Sequence, residues 1–210
     1  MSKVRQSYKY YCVVDFEATN DGRPWKPEQS NESYPSEIIQ FPAVLIDGST
    51  AEFVDTFNRY VKPSRNPVLS NFILRLTNIA QSVVDNANSF ISVLDEFETW
   101  LGKYSTKPFY DVCFITDGKY DFGEILMSEC QISGISRPTY MNSCHNIKES
   151  FKAKYKRKYY DNTTSMLNYI GMSFSGTQHN GFDDAYNIAR VAQHMLKKTF
   201  TKFDKNEFYY

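Results

Sequence analysis

The chain has 210 residues, and its 24 lysines and arginines are balanced by 24 aspartates and glutamates. A hydrophobic content of 41%, with sixteen phenylalanines and sixteen tyrosines, excludes a disordered chain. The length suits one domain over residues 1–210, or at most one and a half domains, with enough mass for a substantial core. Because the charges balance, an anionic partner must be attracted by local patches or bound metal rather than by net charge.

The sequence also restricts where the protein works. No apolar stretch reaches the ~20 residues needed to span a bilayer, and the N-terminus lacks the apolar segment of a signal peptide. The four cysteines lie far apart without metal-binding spacing, so we expect reduced thiols in or near the core. We expect an intracellular protein without membrane contact, either cytoplasmic or nuclear. Its protein partners cannot be inferred.

The first predicted element is a strand over residues 10–17, in the stretch YYCVVDFEAT. Asp15 and Glu17 stand at its end. Because strand side chains alternate between faces, both carboxylates should point the same way, with Cα atoms ~6.5–7 Å apart. Two solvated acids at a surface strand end are the competing interpretation, and this pair alone does not decide. A polar loop over 20–36 follows.

The remaining elements predict a mixed sheet flanked by helices. The runs EIIQFPAVLID and EFVDTFNRYVKP, separated by GSTA, predict a hairpin. Ser89 should cap a helix whose apolar residues recur at helical spacing. Further strands are predicted at 111–116 and within YMNSC, and helices at 70–86 (in short pieces) and near 121–133, 145–156, 163–170 and 182–198. We therefore predict an α/β fold with a mixed five-stranded sheet.

The segment FITDGKYDFGEIL adds two acids. Asp117 is typical of a turn, and Asp121 stands at a predicted helix start, where capping would explain it. These residues alone do not show which of the two has a chemical role.

The segment HNGFDDAYNIARVAQHML adds two more. Helical spacing places Asp183 on an entirely polar face and Asp184 on an apolar face directed toward the core. A carboxylate on a buried face is costly unless it is paired or bound to a metal. His179 lies five residues before Asp184. A surface or capping role is the simpler explanation for a lone histidine there.

Acids from three segments can converge only if their charges are compensated. Two carboxylates ~4 Å apart repel by about 4 kcal/mol at an effective dielectric near 20. Oxygen ligands favour Mg²⁺ or Mn²⁺ as the compensating cation. Two such ions are a common device for in-line phosphoryl displacement, and a neutral histidine can accept the proton of the attacking water. The pattern therefore favours metal-dependent phosphodiester chemistry.

The stretches DFEAT, TDGKYDF and HNGFDD resemble the three motifs of the DEDDh 3′→5′ exonucleases, which have a ribonuclease H-like fold. EIIQFPAVLID, YVKPSRNPVLSNFILRLTNIAQSVVDNANSF and FETWL resemble the Eri-type subfamily. The likeness covers about residues 9–198. It implies that two Mg²⁺ or Mn²⁺ ions are bound and that His179 is the general base. The implied metal ligands, which are also catalytic, are Asp15, Glu17, Asp121 and Asp184.

The resemblance further implies where substrate binds. Phe16 and Tyr120 would pack on the last nucleotide, although a strand aromatic such as Phe16 more often belongs to the core. The other implied substrate contacts are Glu17, Ala18, Thr19 and His179. The sequence departs from the family pattern at two positions: Gln40 stands where these enzymes often carry Glu, and Tyr120 stands where Trp is common. Both changes are mild.

The implied activity is hydrolysis at single-stranded 3′ ends, of RNA rather than DNA, releasing nucleoside 5′-monophosphates. A DNA-preferring 3′→5′ exonuclease and a non-catalytic RNA-binding module on the same fold are the alternatives. The basic run KESFKAKYKRKYY (148–160) is compatible with contacts to a phosphate backbone and equally with a solvated helix face.

Overall fold

Four consecutive strands, followed by helices interspersed with further strands, build one mixed sheet. The computed structural model describes residues 6–23, 34–159, 162–198 and 201–209. The strands found there are β1 (Tyr10–Val14), β2 (Glu17–Ala18), β3 (Ile38–Asp47), β4 (Phe53–Tyr60), β5 (Val112–Thr116), β6 (Ser143–Asn146) and β7 (Glu207–Phe208). The helices are α1 (Asn71–Thr77), α2 (Gln81–Asp85), α3 (Phe90–Leu101), a π-helix (Asp121–Ile125), α4 (Leu126–Ile132), a 3-10 helix (Thr139–Met141), α5 (Ile147–Tyr155), α6 (Thr163–Tyr169) and α7 (Gly181–Lys198).

The sheet combines antiparallel and parallel pairs. β1, β3 and β4 form an antiparallel meander, in which β3 and β4 are the predicted hairpin. β1 pairs with β5, and β5 with β6, in parallel, whereas β7 runs antiparallel to β6. The prediction of a mixed sheet flanked by helices is confirmed, but the predicted count of five strands was wrong, since the described sheet has seven. The two additional strands, β2 and β7, have two residues each, too few for a periodic signal.

The predicted first strand is divided in two. β1 ends at Val14, and pairing with β3 resumes at Glu17, opposite Gln40. The register on either side of the interruption places Asp15 opposite Pro42, and proline has no N–H to donate to a ladder. The predicted continuous strand over 10–17 was therefore wrong at the two residues that precede Glu17.

Helices cover both faces of the sheet. Alternating residues of the central strands face opposite sides, so Cys12 and Val14 pack with α3 and α4, while Tyr11 and Val13 pack with α5, α6 and α7. Ser89 caps α3 by accepting a hydrogen bond from the Ser92 N–H, as predicted. α1 and α2 enclose a smaller third cluster around Ile39.

Two regions differ from the sequence prediction. The helix predicted near 121–133 begins with the π-helix before it becomes α4. Beyond α7, residues 201–209 return to the sheet edge, where buried Phe203 packs on the His145 ring with centroids 4.5 Å apart. The predicted loop over 20–36 falls largely on residues 24–33, outside the described ranges.

The four cysteines are free and buried, as expected from their spacing. Among the described residues, no helix has the length and apolar character that crossing a membrane requires.

Candidate active site

The four predicted acidic ligands come from three segments that meet at one edge of the sheet. Asp15 follows β1 and Glu17 lies in β2, while Asp121 opens the π-helix that follows β5. β1 and β5 are parallel neighbours, so their carboxyl ends lie side by side. Asp184 arrives in the first turn of α7, which packs against β1 and β3.

The carboxylates form two overlapping groups. Oxygen atoms of Asp15, Glu17 and Asp184 lie within 4.8 Å of one another, and so do oxygens of Asp15, Asp117 and Asp121. Asp15 belongs to both groups. All donors are carboxylate oxygens, the ligand type that hard divalent cations prefer. The structure thus brings together every acid that the sequence predicted and adds Asp117.

Burial and mutual repulsion raise the pKa values of the first group. The pKa of Asp15 is raised well above its ordinary value by burial and then by the charges of the four surrounding acids. Burial, with Asp184 and Asp121 nearby, raises the pKa of Glu17 to about 8. Burial also raises the pKa of Asp184 to about 7, although a backbone hydrogen bond from His179 opposes the shift. A cation is the natural partner for such carboxylates at neutral pH.

Asp121 accepts a hydrogen bond from the backbone at the interruption between β1 and β2. The Phe16 N–H, which no longer serves the sheet ladder, donates to Asp121 Oδ1 at 2.8 Å. Burial raises the pKa of Asp121 to about 7, and the Phe16 N–H offsets part of this shift. A Cβ added at Gly123 would lie 2.9 Å from the Tyr209 ring, so the π-helix packs closely on the C-terminal segment. The hydrogen bond from Phe16 fixes the direction of the Asp121 side chain.

Asp117 is the site residue that sequence reasoning left undecided. Its carboxylate forms an ion pair with Lys148, with Nζ and Oδ2 2.8 Å apart, and accepts a hydrogen bond from Thr163 Oγ1 at 3.5 Å. The sequence offered only a turn composition here, because the basic partner lies thirty-one residues away on another element. The structure places both Asp117 and Asp121 beside Asp15.

His179 lies in the loop that leads into α7. Its φ of 63° is in the left-handed region, and the residue is exposed. Asp183 holds this loop, because its Oδ2 accepts the Thr177 N–H at 2.8 Å. Asp184 instead joins the acidic group, in agreement with the predicted division of the two neighbouring aspartates between helix faces. The general-base role of His179 remains a prediction.

The predicted substrate contacts differ in exposure. Tyr120 is 61% exposed at the start of the π-helix, beside the site. The Phe16 ring is buried and packs edge-to-face on Phe41, with centroids 4.8 Å apart. The Thr19 hydroxyl is buried and bonded to the backbone of the 35–37 segment, whereas Ala18 is half-buried in β2. Only Tyr120 among these offers a largely exposed aromatic ring.

Gln40 and Gly181 are residues that sequence reasoning did not assign to the site. Gln40 is fully buried, and its Oε1 accepts the Gly181 N–H at 3.1 Å while its Nε2 donates to Asn58. A Cβ added at Gly181 would lie 3.1 Å from both the Asp15 carbonyl oxygen and Glu17 Cγ. Gln40 thus ties the start of α7 to the strands that carry the first two acids. The sequence signal that could have identified Gln40 was its position as a polar residue within an apolar strand.

Gly181→Ala is expected to lower stability. The new methyl group meets backbone that cannot move freely, and overpacking typically costs about 1–3 kcal/mol, against a helix-propensity gain of at most about 1 kcal/mol. A net loss of about 1 kcal/mol should lower Tm by about 2–4 °C in a chain of this size, as measured by thermal unfolding. Gly118→Ala is the control, because no heavy atom of the described residues lies within 4 Å of its added Cβ. Equal Tm values for both variants would contradict the close packing at Gly181.

Comparisons with known proteins add independent evidence. The family model RNase_T, described as Exonuclease, matches residues 12–192. The chain is 38% identical over 192 residues to 3′-5′ exoribonuclease 1 of Mus musculus, covering 90% of this chain and 54% of that protein. It is 34% identical over 213 residues to ERI1 exoribonuclease 2 of Mus musculus, covering 93% of this chain and 30% of that protein.

A solved structure gives the same result for the fold. The nuclease domain of 3′hExo, a DEDDh family member bound to rAMP, matches with a TM-score of 0.85 and 37% identity. The match covers 96% of this chain and 98% of that domain. The chain spans about half the length, or less, of the curated relatives named above.

Proposed function

This chain belongs to the exonuclease (RNase T) family, in its Eri-type DEDDh branch, and from that premise we propose that it is a 3′→5′ exonuclease acting on single-stranded RNA. Residues 1–210 would act as one exonuclease domain and release nucleoside 5′-monophosphates. The observation that carries the proposal is the convergence of Asp15, Glu17, Asp121 and Asp184.

Metal binding follows from the donor set. The family is metal-dependent, and the acids of this site can hold metal. We propose two Mg²⁺ or Mn²⁺ ions, because two groups of oxygens share Asp15. Such cations supply charge neutralisation at the phosphate and lower the pKa of water. We assign Asp121 as a ligand and Asp117 as a supporting acid, because Asp117 is already paired with Lys148.

The side chains of the protein have separate tasks in this proposal. His179 accepts the proton of the attacking water, and its exposed loop allows the ring to reach a bound phosphodiester. Tyr120 stacks on the terminal base without selecting its identity. Glu17 and Ala18 would border the terminal sugar, and Thr19, whose buried hydroxyl is bonded to the 35–37 segment, would hold β2 in place beneath it. Phe16, whose ring is buried, would act by shaping the floor beneath the last nucleotide.

We propose RNA rather than DNA as the substrate for two reasons. Both curated relatives named above carry exoribonuclease in their names, and the solved nuclease domain was bound to rAMP. A non-catalytic binding module is disfavoured on physical grounds. Such a module gains nothing from four mutually repelling carboxylates whose pKa values are raised by burial, those of Asp15, Glu17, Asp121 and Asp184. We also propose an intracellular location, in keeping with four free cysteines.

Digestion of 5′-labelled oligonucleotides tests the reaction class. In Mg²⁺ or Mn²⁺, single-stranded RNA should yield a ladder that shortens from the 3′ end, and EDTA should suppress cleavage by at least about 10³-fold, since the cations contribute several kcal/mol. The same oligonucleotide in DNA, and a form with a blocked 3′ end, are the controls. Internal cleavage, or hydrolysis that persists in EDTA, would reject the proposal. Faster digestion of the DNA oligonucleotide would reject the RNA preference only.

A further inference from the structure

Helix α5 carries a stripe of cations that begins at the active site. Lys148, Lys152 and Lys156 are spaced four residues apart, so they follow one another along the same side of the helix. We call these three residues the basic stripe. Lys156 is the C-cap of the helix. With a rise of 1.5 Å per residue, the stripe is ~12 Å long.

The near end of the stripe touches the acidic groups. Lys148 pairs with Asp117, and oxygens of Asp117 lie within 4.8 Å of those of Asp15 and Asp121. α5 starts there because β6 runs parallel to β5 and delivers its carboxyl end to the same edge of the sheet. The stripe therefore leads away from the site where a 3′ end would be cut.

The charge of α5 and of the residues directly after it departs from the balance of the whole molecule. The net charge of the chain is zero, yet residues 148–158 contain six cations and a single acid, Glu149. Lys154, Lys156 and Lys158 are exposed. A segment this rich in cations on an otherwise neutral protein is the electrostatic footprint of a nucleic-acid contact.

Aromatic rings lie among these cations. The Arg157 guanidinium sits 4.6 Å from the centroid of Tyr169, which is 48% exposed, and Lys158 lies 5.1 Å from the centroid of Tyr159, which is 71% exposed. Exposed rings beside cations are the combination with which proteins bind single strands, since bases stack on the rings and phosphates meet the charges.

We propose that the basic stripe binds the phosphates of the nucleotides immediately 5′ of the scissile linkage in single-stranded RNA. This inference rests on the proposed function and extends it to the path of the substrate. A length of ~12 Å has room for about three or four phosphates, given a stacked spacing of roughly 3.4 Å per strand. Short substrates therefore reach the acids without touching Lys152 or Lys156, whereas longer substrates contact both.

The test compares Lys152→Glu/Lys156→Glu with Lys62→Glu/Lys103→Glu. Lys62 follows β4 and Lys103 follows α3, so both exposed control lysines lie with the helix layer on the opposite face of the sheet. Each double variant changes the net charge equally. Affinity for a single-stranded RNA 12-mer is measured as a function of salt in the Asp184→Asn background, and hydrolysis of a dinucleotide in the active background.

The stripe variant should bind the 12-mer at least about 10-fold more weakly at 0.1 M salt, and its slope of log K against log salt should fall by about 1.4, or about 0.7 for each lost contact. Dinucleotide hydrolysis should stay within about two-fold. The proposed role of the basic stripe would be overturned by equal losses of RNA affinity in the two double variants or by an unchanged salt slope. A parallel loss of dinucleotide hydrolysis would overturn it as well. Absence of hydrolysis by the unsubstituted chain would contradict the proposed function alone, because the affinity measurement needs no turnover.

Discussion

Asp184→Asn is expected to reduce hydrolysis of single-stranded RNA by about 10³-fold or more, whereas Asp183→Asn should change it by less than about three-fold. The adjacent aspartates have the same chemistry and differ in what they face. The Asp184 oxygens lie with those of Asp15 and Glu17, while Asp183 accepts the Thr177 N–H. Asparagine preserves shape but removes the charge that a cation requires. A loss of about 4 kcal/mol of transition-state stabilisation corresponds to the 10³-fold effect.

The control substitution preserves the loop that carries His179. The amide oxygen of asparagine at position 183 can still accept the Thr177 N–H, so the loop keeps its support. kcat/KM on a 5′-labelled oligonucleotide, with Tm measured for each variant, separates loss of chemistry from loss of fold. Comparable activity of the Asp184 variant and the unsubstituted chain would exclude Asp184 as a metal ligand, and a large loss in the Asp183 variant would show that the helix-face assignment is wrong.

In the absence of divalent cations, stability is expected to fall as pH rises from about 5 to 8. Burial and neighbouring acids raise the pKa of Glu17 to about 8 and the pKa values of Asp121 and Asp184 to about 7. In the unfolded chain these carboxyls titrate near 4, so the folded state binds more protons within this window. The free energy of unfolding then decreases with increasing pH, and this contribution is complete below about pH 4 and lost above about pH 8.

The size of the effect makes it measurable. Counting only about one pKa unit for each of the three carboxyls gives about 4 kcal/mol, or roughly 8–16 °C of Tm in a chain of this length. Thermal unfolding in EDTA at pH 5 and pH 8 measures the loss, and Mg²⁺ at pH 8 should recover most of it. Glu129, a buried carboxyl outside both groups whose pKa is raised to about 7 by burial, leaves a residual slope that Mg²⁺ cannot remove.

Glu17→Gln provides the matched control for this experiment. Removing the carboxyl with the highest of the three values should reduce both the pH dependence in EDTA and the stabilisation by Mg²⁺. A Tm that rises between pH 5 and pH 8 in EDTA would contradict the raised pKa values. Identical pH dependence of Tm in the variant and the unsubstituted chain would exclude Glu17 as a source of that dependence.

Local patterns were sufficient for much of the fold. The amphipathic helices α3 and α7 are long enough for hydrophobic periodicity to be distinctive, and β5 stands out as a short, continuous apolar run. The assignment of Asp184 to the inner face came from the same periodicity. The motif acids also stand at the ends of elements, where side chains from separate segments can meet.

Features that depend on distant contacts could not be predicted in this way. The division between β1 and β2 depends on Pro42 of the neighbouring strand and on the Asp121 carboxylate. The place of Asp117 in the site depends on a register between parallel strands, and β7 depends on the return of the C-terminal segment to β6. None of these contacts leaves a periodic signature in the sequence.

The hydrogen bond from the Phe16 N–H to Asp121 Oδ1 has a consequence for the choice of variants. Asparagine at position 121 can keep its oxygen toward the amide and lose only the charge, so it isolates electrostatics. Alanine there also leaves a main-chain donor without an acceptor, which loosens the junction between the two motifs. An inactive variant used to trap bound RNA should therefore have asparagine at position 121. Alanine at that position would disturb the site to which the RNA binds.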